Sequence, residues 1–157
     1  MISSPDYAIK EPSGLHAPTW WATEQEYCTI MYWAIVANKY KSVLEIGTFL
    51  GHTTWWFVEA MKATGGHVLT VDKQVQCKLP YDEKYFTQKE CASDDCWSKA
   101  TYDFIYVDGW HGYEQAYRDV VNAKAHLNEG GMIAVHDTGY DNGEVVQVMK
   151  ALSKAKE

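Results

Sequence analysis

The chain has 157 residues, 46% of them hydrophobic and 22% charged, which suits a single soluble domain with a substantial core. Its formal charge is −7 and Arg118 is its only arginine, so a phosphate backbone would find no basic cluster and nucleic acid is excluded as a partner class. No apolar run is long enough to span a bilayer and Met1–Lys10 lacks a signal-peptide pattern; the expectation is a cytoplasmic protein with no membrane partner.

Residues 1–22, with Pro5, Pro12, Gly14 and Pro18, read as an extended N-terminal segment ending in Trp20-Trp21, an anchor or a substrate wall. A single domain is expected over 23–157. Thr23 and Glu26 have the spacing of a capping box, opening a helix from Glu24 to about Lys39 with Tyr27, Ile30, Met31, Ala34 and Ile35 on its apolar face. Ser42–Ile46 is a short buried strand. Thr54–Ala63 reads as a helix closed by Gly65-Gly66, and His67–Asp72 as a second strand. Between 73 and 100 the pattern is weak. Pro80 interrupts any helix over 74–84, Lys84–Gln88 makes a short third strand, and Cys91–Asp95 falls in the following loop. Tyr102–Asp108 is the clearest strand, followed by a helix from Glu114 to Leu127 that Asn128–Gly131 stops. Met132–Val135 is a fifth strand, and a last helix runs from about Gly143 to Ala155. The sum is α/β: a Rossmann-like, open, mainly parallel sheet with helices on both faces.

In such sheets ligands bind beyond the carboxyl ends of the strands, near the switch in strand order. Glu45-Ile46-Gly47-Thr48-Phe49-Leu50-Gly51-His52-Thr53 joins a strand to a helix there. Its glycines let backbone approach a ligand, and free helix N–H groups favour negative charge. The spacing Glu-x-Gly-x-x-x-Gly lacks the glycine that admits a pyrophosphate, which disfavours a nicotinamide-dependent oxidoreductase. Asp72 ends the neighbouring strand, where a carboxylate can accept from both hydroxyls of a ribose. Ser93 or Asp94 could accept from a nucleobase amine or cap a helix. Asp108 and His136-Asp137 end two strands expected to be neighbours. Paired carboxylates in oxygen-rich surroundings suit a hard cation such as Mg²⁺, and His111 in the same loop can serve as a base. Cys91 and Cys96 offer a weak soft-metal alternative; reduced thiols are the simpler reading. The aromatic content, 14% with 7 Trp and 11 Tyr, can fill a core or line a pocket for a flat ligand.

These motifs resemble the class I S-adenosylmethionine-dependent methyltransferases. The closest likeness is to the metal-dependent O-methyltransferases that include catechol O-methyltransferase, and within them to a bacterial branch acting on sugars and natural products. The resemblance runs from about residue 24 to 150. It implies S-adenosylmethionine as cofactor, with Glu45, Gly47, Phe49, Gly51 and Thr53 at its methionine part, Phe49 packing on it and Thr53 binding its carboxylate. Asp72 is then the ribose acid and Ser93 lies in the adenine loop. Trp110 packs on adenine and Asp108 serves both cofactor and metal. Asp108, His136 and Asp137 would hold Mg²⁺ or Mn²⁺, and His111, in place of the catechol enzyme's lysine, is the implied catalytic base.

The resemblance implies a truncated class I methyltransferase fold, since too few residues follow Thr138 for the family's last two strands. The expected function is methyl transfer to the hydroxyl of a small molecule or sugar. The alternative is a protein that binds S-adenosylmethionine or S-adenosylhomocysteine without transfer activity and acts through a protein partner. An uncovered Met132–Val135 edge and a broadly apolar last helix lead to the expectation of a homodimer.

Overall fold

The buried strands alternate cleanly. Val43, Phe104 and Tyr106 face one core, while Leu44, Ile105 and Val107 face another, so the sheet is covered on both sides. The computed structural model describes residues 23, 25–76, 78–97, 99–139 and 143–154. Over these it has α1 (Gln25–Asn38), β1 (Ser42–Ile46), α2 (His52–Thr64), β2 (His67–Asp72), β3 (Phe86–Glu90), α3 (Ser93–Cys96), β4 (Tyr102–Val107), α4 (Tyr113–Ala125), β5 (Leu127–Val135) and α5 (Glu144–Lys154). The five strands are all parallel in the order β3-β2-β1-β4-β5. Helices α1 and α2 pack with the first core and α4 and α5 with the second, giving the expected Rossmann-like α/β architecture. The switch in strand order falls between β1 and β4, so their carboxyl ends define the crevice. The segment 1–22 with Trp20-Trp21, and the expected helix ends at Glu24 and Ala155, lie outside the described residues. Among those described, no helix is long and apolar enough to cross a membrane.

Three expectations are corrected. The buried face of α1 is Cys28, Met31 and Ile35, whereas Tyr27 and Ile30 are 56% and 63% exposed. Apolar residues surround this helix, so periodicity alone does not choose the packed stripe; contact with α2 does. The Thr23 side chain turns away from α1: its hydroxyl lies 2.7 Å from Tyr106 Oη and accepts from Thr53 Oγ1 at 3.2 Å. Finally, Asn128–Gly131 does not separate helix from strand but lies within β5. The register runs from Tyr102↔Leu127 to Phe104↔Met132, so the extra residues bulge out. Gly130 takes φ +75°, and a Cβ on Gly131 would lie 2.8 Å from the Asp103 carbonyl oxygen. The glycine pair is therefore needed for the bulge, and it reads in sequence like a helix stop.

Candidate active site

The loop from β1 to α2 is shaped by backbone that only glycine or a constrained residue adopts. Gly47 has φ +97°, and a Cβ there would fall 1.9 Å from the Asp108 carbonyl oxygen. The β1 and β4 loops thus touch through a position that accepts no side chain. Phe49 follows at φ +46°, an unusual conformation for a bulky residue. Asp72 holds this turn. Its Oδ2 accepts from the N–H groups of Thr48 at 3.0 Å and Phe49 at 2.8 Å, and Oδ1 accepts from Gln74 N–H at 3.1 Å.

Beyond the strand ends lies a cavity of about 880 Å³. The structure brings Gly47, Phe49, Thr53, Asp72, Ser93 and Asp108 to its wall, together with Trp110, His111, His136 and Asp137. Two expected residues are not brought there. Glu45 is fully buried beneath the loop, where the Thr54 hydroxyl donates to its Oε2 at 2.5 Å. Burial pushes the Glu45 carboxyl up to about 8, against the hydroxyls of Thr54 and Thr70. Gly51, at φ +80°, precedes α2, and a Cβ there would collide with Leu79. Both residues shape the loop without lining the cavity. Sequence reasoning missed Thr23, His52, Lys73 and Gln115 as lining residues. His52 stood inside the glycine motif, and Thr23 was masked by its capping signal; Gln115 carries no local signal.

The polar centre of the cavity joins the ends of β4 and β5. His111 Nε2 lies 3.0 Å from Asp137 Oδ2 and 3.5 Å from Asp108 Oδ1. His136 Nδ1 lies 3.2 Å from Asp108 Oδ1 and 3.3 Å from Asp137 Oδ1. Tyr106 Oη donates to Asp108 Oδ2 at 3.2 Å, and burial pushes the phenol up, which keeps it a donor. Burial alone would raise Asp108, but hydrogen bonds to His111 and His136 and their charge outweigh it and hold the carboxyl low. The hydrogen bond to Asp108 raises His111 above its ordinary value, despite burial and helped by the charge of Asp137. Asp137 has φ +55°, so this residue too is held in uncommon backbone geometry at the site. Ligand atoms of Asp108, His111 and Asp137 lie within 4.8 Å of one another, a set that fits a divalent cation. Among the described residues, Cys28, Cys91 and Cys96 form no disulfide.

A methyltransferase-domain profile matches residues 44–138, more than half the chain, from β1 to just past Asp137. No curated protein matches the sequence. Among solved structures the chain is similar to a Podospora anserina methyltransferase bound to S-adenosylhomocysteine, with 13% identity over 88% of this chain and 74% of that one, at a TM-score of 0.68. It is also similar to an O-methyltransferase from Bacillus cereus in complex with S-adenosylhomocysteine, with 16% identity, coverage of 87% and 71%, and a TM-score of 0.60. A third is the O-methyltransferase of tomaymycin synthesis from Streptomyces achromogenes in complex with S-adenosylmethionine, with 14% identity, coverage of 86% and 69%, and a TM-score of 0.60. With a matching profile laid over the loops that build the cavity, the chain belongs to the methyltransferase-domain family and shares the fold of these methyltransferase structures.

Proposed function

We propose that the protein transfers the methyl group of S-adenosylmethionine to a hydroxyl of a small molecule or sugar, with divalent-metal assistance. The observation that carries this reading is the Asp108–His111–Asp137 cluster inside the same cavity as the glycine loop. The methionine part of the cofactor would lie along Gly47, Phe49 and Thr53, the ribose at Asp72, and the adenine between Ser93 and Trp110. Trp110 is 78% exposed and leaves a ring face open to such a base. Asp108 and Asp137 would hold Mg²⁺ or Mn²⁺, with His136 completing the set. When bound, the ion would lower the pKa of the acceptor hydroxyl. His111, held beside Asp108 and Asp137, would take the proton of the acceptor hydroxyl.

The reading predicts that methyl transfer to a responsive acceptor stops in excess EDTA and returns with Mg²⁺; full activity in EDTA contradicts it. His111→Ala should lower kcat by roughly 10²–10⁴-fold while S-adenosylhomocysteine affinity stays within a few-fold. Equal loss of cofactor binding would remove the base role. A cytoplasmic homodimer using the β5 edge and α5 is part of the same proposal.

A further inference from the structure

Tyr106 puts a phenol in the core beside Asp108, and the reading above gives it no task. Strand alternation turns it to the face covered by α1 and α2, where it is 2% exposed and packs edge-on against Phe57 with ring centres 5.7 Å apart. A phenol so placed needs a partner for its hydroxyl. Asp108 follows two residues later, just past the end of β4, so the same alternation brings the two side chains to one side.

Three hydroxyls and this carboxylate form a line. Thr53 Oγ1 donates to Thr23 Oγ1 at 3.2 Å, Thr23 Oγ1 lies 2.7 Å from Tyr106 Oη, and Tyr106 Oη donates to Asp108 Oδ2 at 3.2 Å. Each hydroxyl has a single proton to give. Tyr106 gives its own to the carboxylate, so Thr23 is the donor between the two. Thr23 Oγ1 also lies 3.4 Å from Asp108 Oδ2. Bonds in such a line polarise one another, and the last is strengthened by the carboxylate charge. The other oxygen of Asp108 has different company. Oδ1 lies 3.2 Å from His136 Nδ1 and 3.5 Å from His111 Nε2, and both rings also contact Asp137. Oδ2 is thus tied to core hydroxyls, while Oδ1 is turned to the cluster that fits a cation.

We propose that Tyr106 is a positioning residue that holds Asp108 Oδ2, leaves Oδ1 as the oxygen offered to a metal ion, and so biases the centre against Ca²⁺ in favour of smaller cations. The inference rests on the metal reading of the Asp108–Asp137 centre. Mg²⁺ demands near-ideal octahedral geometry, keeps several waters and needs few carboxylate oxygens. Ca²⁺ gathers more oxygens at longer range and readily takes both from one carboxylate. With Oδ2 tied down, Asp108 gives both oxygens to the larger ion only by losing the Tyr106 bond. Tyr106→Phe removes the hydroxyl alone: the ring keeps its packing on Phe57, and Oδ2 is released.

The test is competition for bound Mn²⁺, read from the electron paramagnetic resonance of free Mn²⁺ as Mg²⁺ or Ca²⁺ is titrated into wild type, Tyr106→Phe and Thr23→Val. Circular dichroism melting establishes that each variant is folded. In Tyr106→Phe the Kd for Ca²⁺ should fall about fivefold or more relative to that for Mg²⁺, the scale of one hydrogen bond to a charged group. Thr23→Val keeps the phenol but removes the hydroxyl that supports it, and should move the ratio the same way by a smaller factor. A purely structural role would weaken both ions together and leave the ratio intact. An unchanged ratio in Tyr106→Phe, or a shift toward Mg²⁺, overturns the proposal. If that variant does not fold, Thr23→Val decides alone, and an unchanged ratio there overturns it. Loss of bound Mn²⁺ in Asp137→Ala assigns the ion to this centre. Mn²⁺ retained in that variant, or none bound by wild type, is a different failure: it overturns the metal reading, and this inference falls with it.

Discussion

Asp72 holds a loop and, on the proposed reading, would also bind the ribose with the same carboxylate. It holds the loop through the N–H groups of Thr48 and Phe49, and it faces the cavity where a ribose would lie. Asp72→Ala should weaken S-adenosylhomocysteine binding by roughly 1–3 kcal/mol. Unchanged affinity in calorimetry would remove Asp72 from the site. Glu45 makes a different prediction. Burial lifts it to about 8 from the ordinary 4.5, so between these values the native state binds the extra proton. Stability is therefore full at low pH, falls as the pH rises from about 5 to about 8, and then levels off. Each pK unit corresponds to about 1.4 kcal/mol, so even part of this displacement amounts to about 1–3 kcal/mol. Glu45→Gln keeps the shape and can still accept from Thr54. It should melt above wild type at pH 8.5, with the gap closing near pH 5. Parallel melting curves across that range would contradict the buried-acid account.

At the scale of elements, β4 is stapled at its start by a single side chain. Asp103 accepts from Lys41 N–H at 2.7 Å, Ser42 N–H at 3.1 Å and Asn128 Nδ2 at 2.7 Å, tying β1 and the β5 bulge to β4. Burial alone would raise its carboxyl, yet these bonds bring it below the ordinary value. Asp103→Ala should cost about 1–2 kcal/mol in denaturant unfolding, whereas a loss below a few tenths would show the staple to be idle. The strands and the glycine loop were legible because they depend on local signals: β-branched runs, acids at strand ends, and glycines where φ is positive. Asp108, His111, His136 and Asp137 were legible because parallel strands carry their ends to one edge. Thr23 and Gln115 were not, because their partners come from distant segments, as with Thr23 and Tyr106 or Gln115 and Ser93. The bulge in β5 and the packed stripe of α1 were misread for the same reason, since tertiary contact overrode local pattern.

At the scale of the whole molecule, β5 is an edge of the described sheet, with Met132 41% and Met149 36% exposed beside it. A homodimer through β5 and α5 predicts a light-scattering mass near twice 17.9 kDa at micromolar concentration, and a mass near 17.9 kDa contradicts it. Val146 is buried within the subunit, so Met149→Asp is the cleaner test of the contact. A dimer that survives it uses another surface, and the exposed Tyr27, Ile30 and Trp33 of α1 form the other apolar row. The central claim, however, is the cofactor cavity that joins the two halves of the sheet. Its most direct test is titration calorimetry of the wild-type chain with S-adenosylhomocysteine and, separately, with NAD. The account predicts saturable binding of one S-adenosylhomocysteine per chain and none of NAD; no heat from S-adenosylhomocysteine, or tighter binding of NAD, would contradict it.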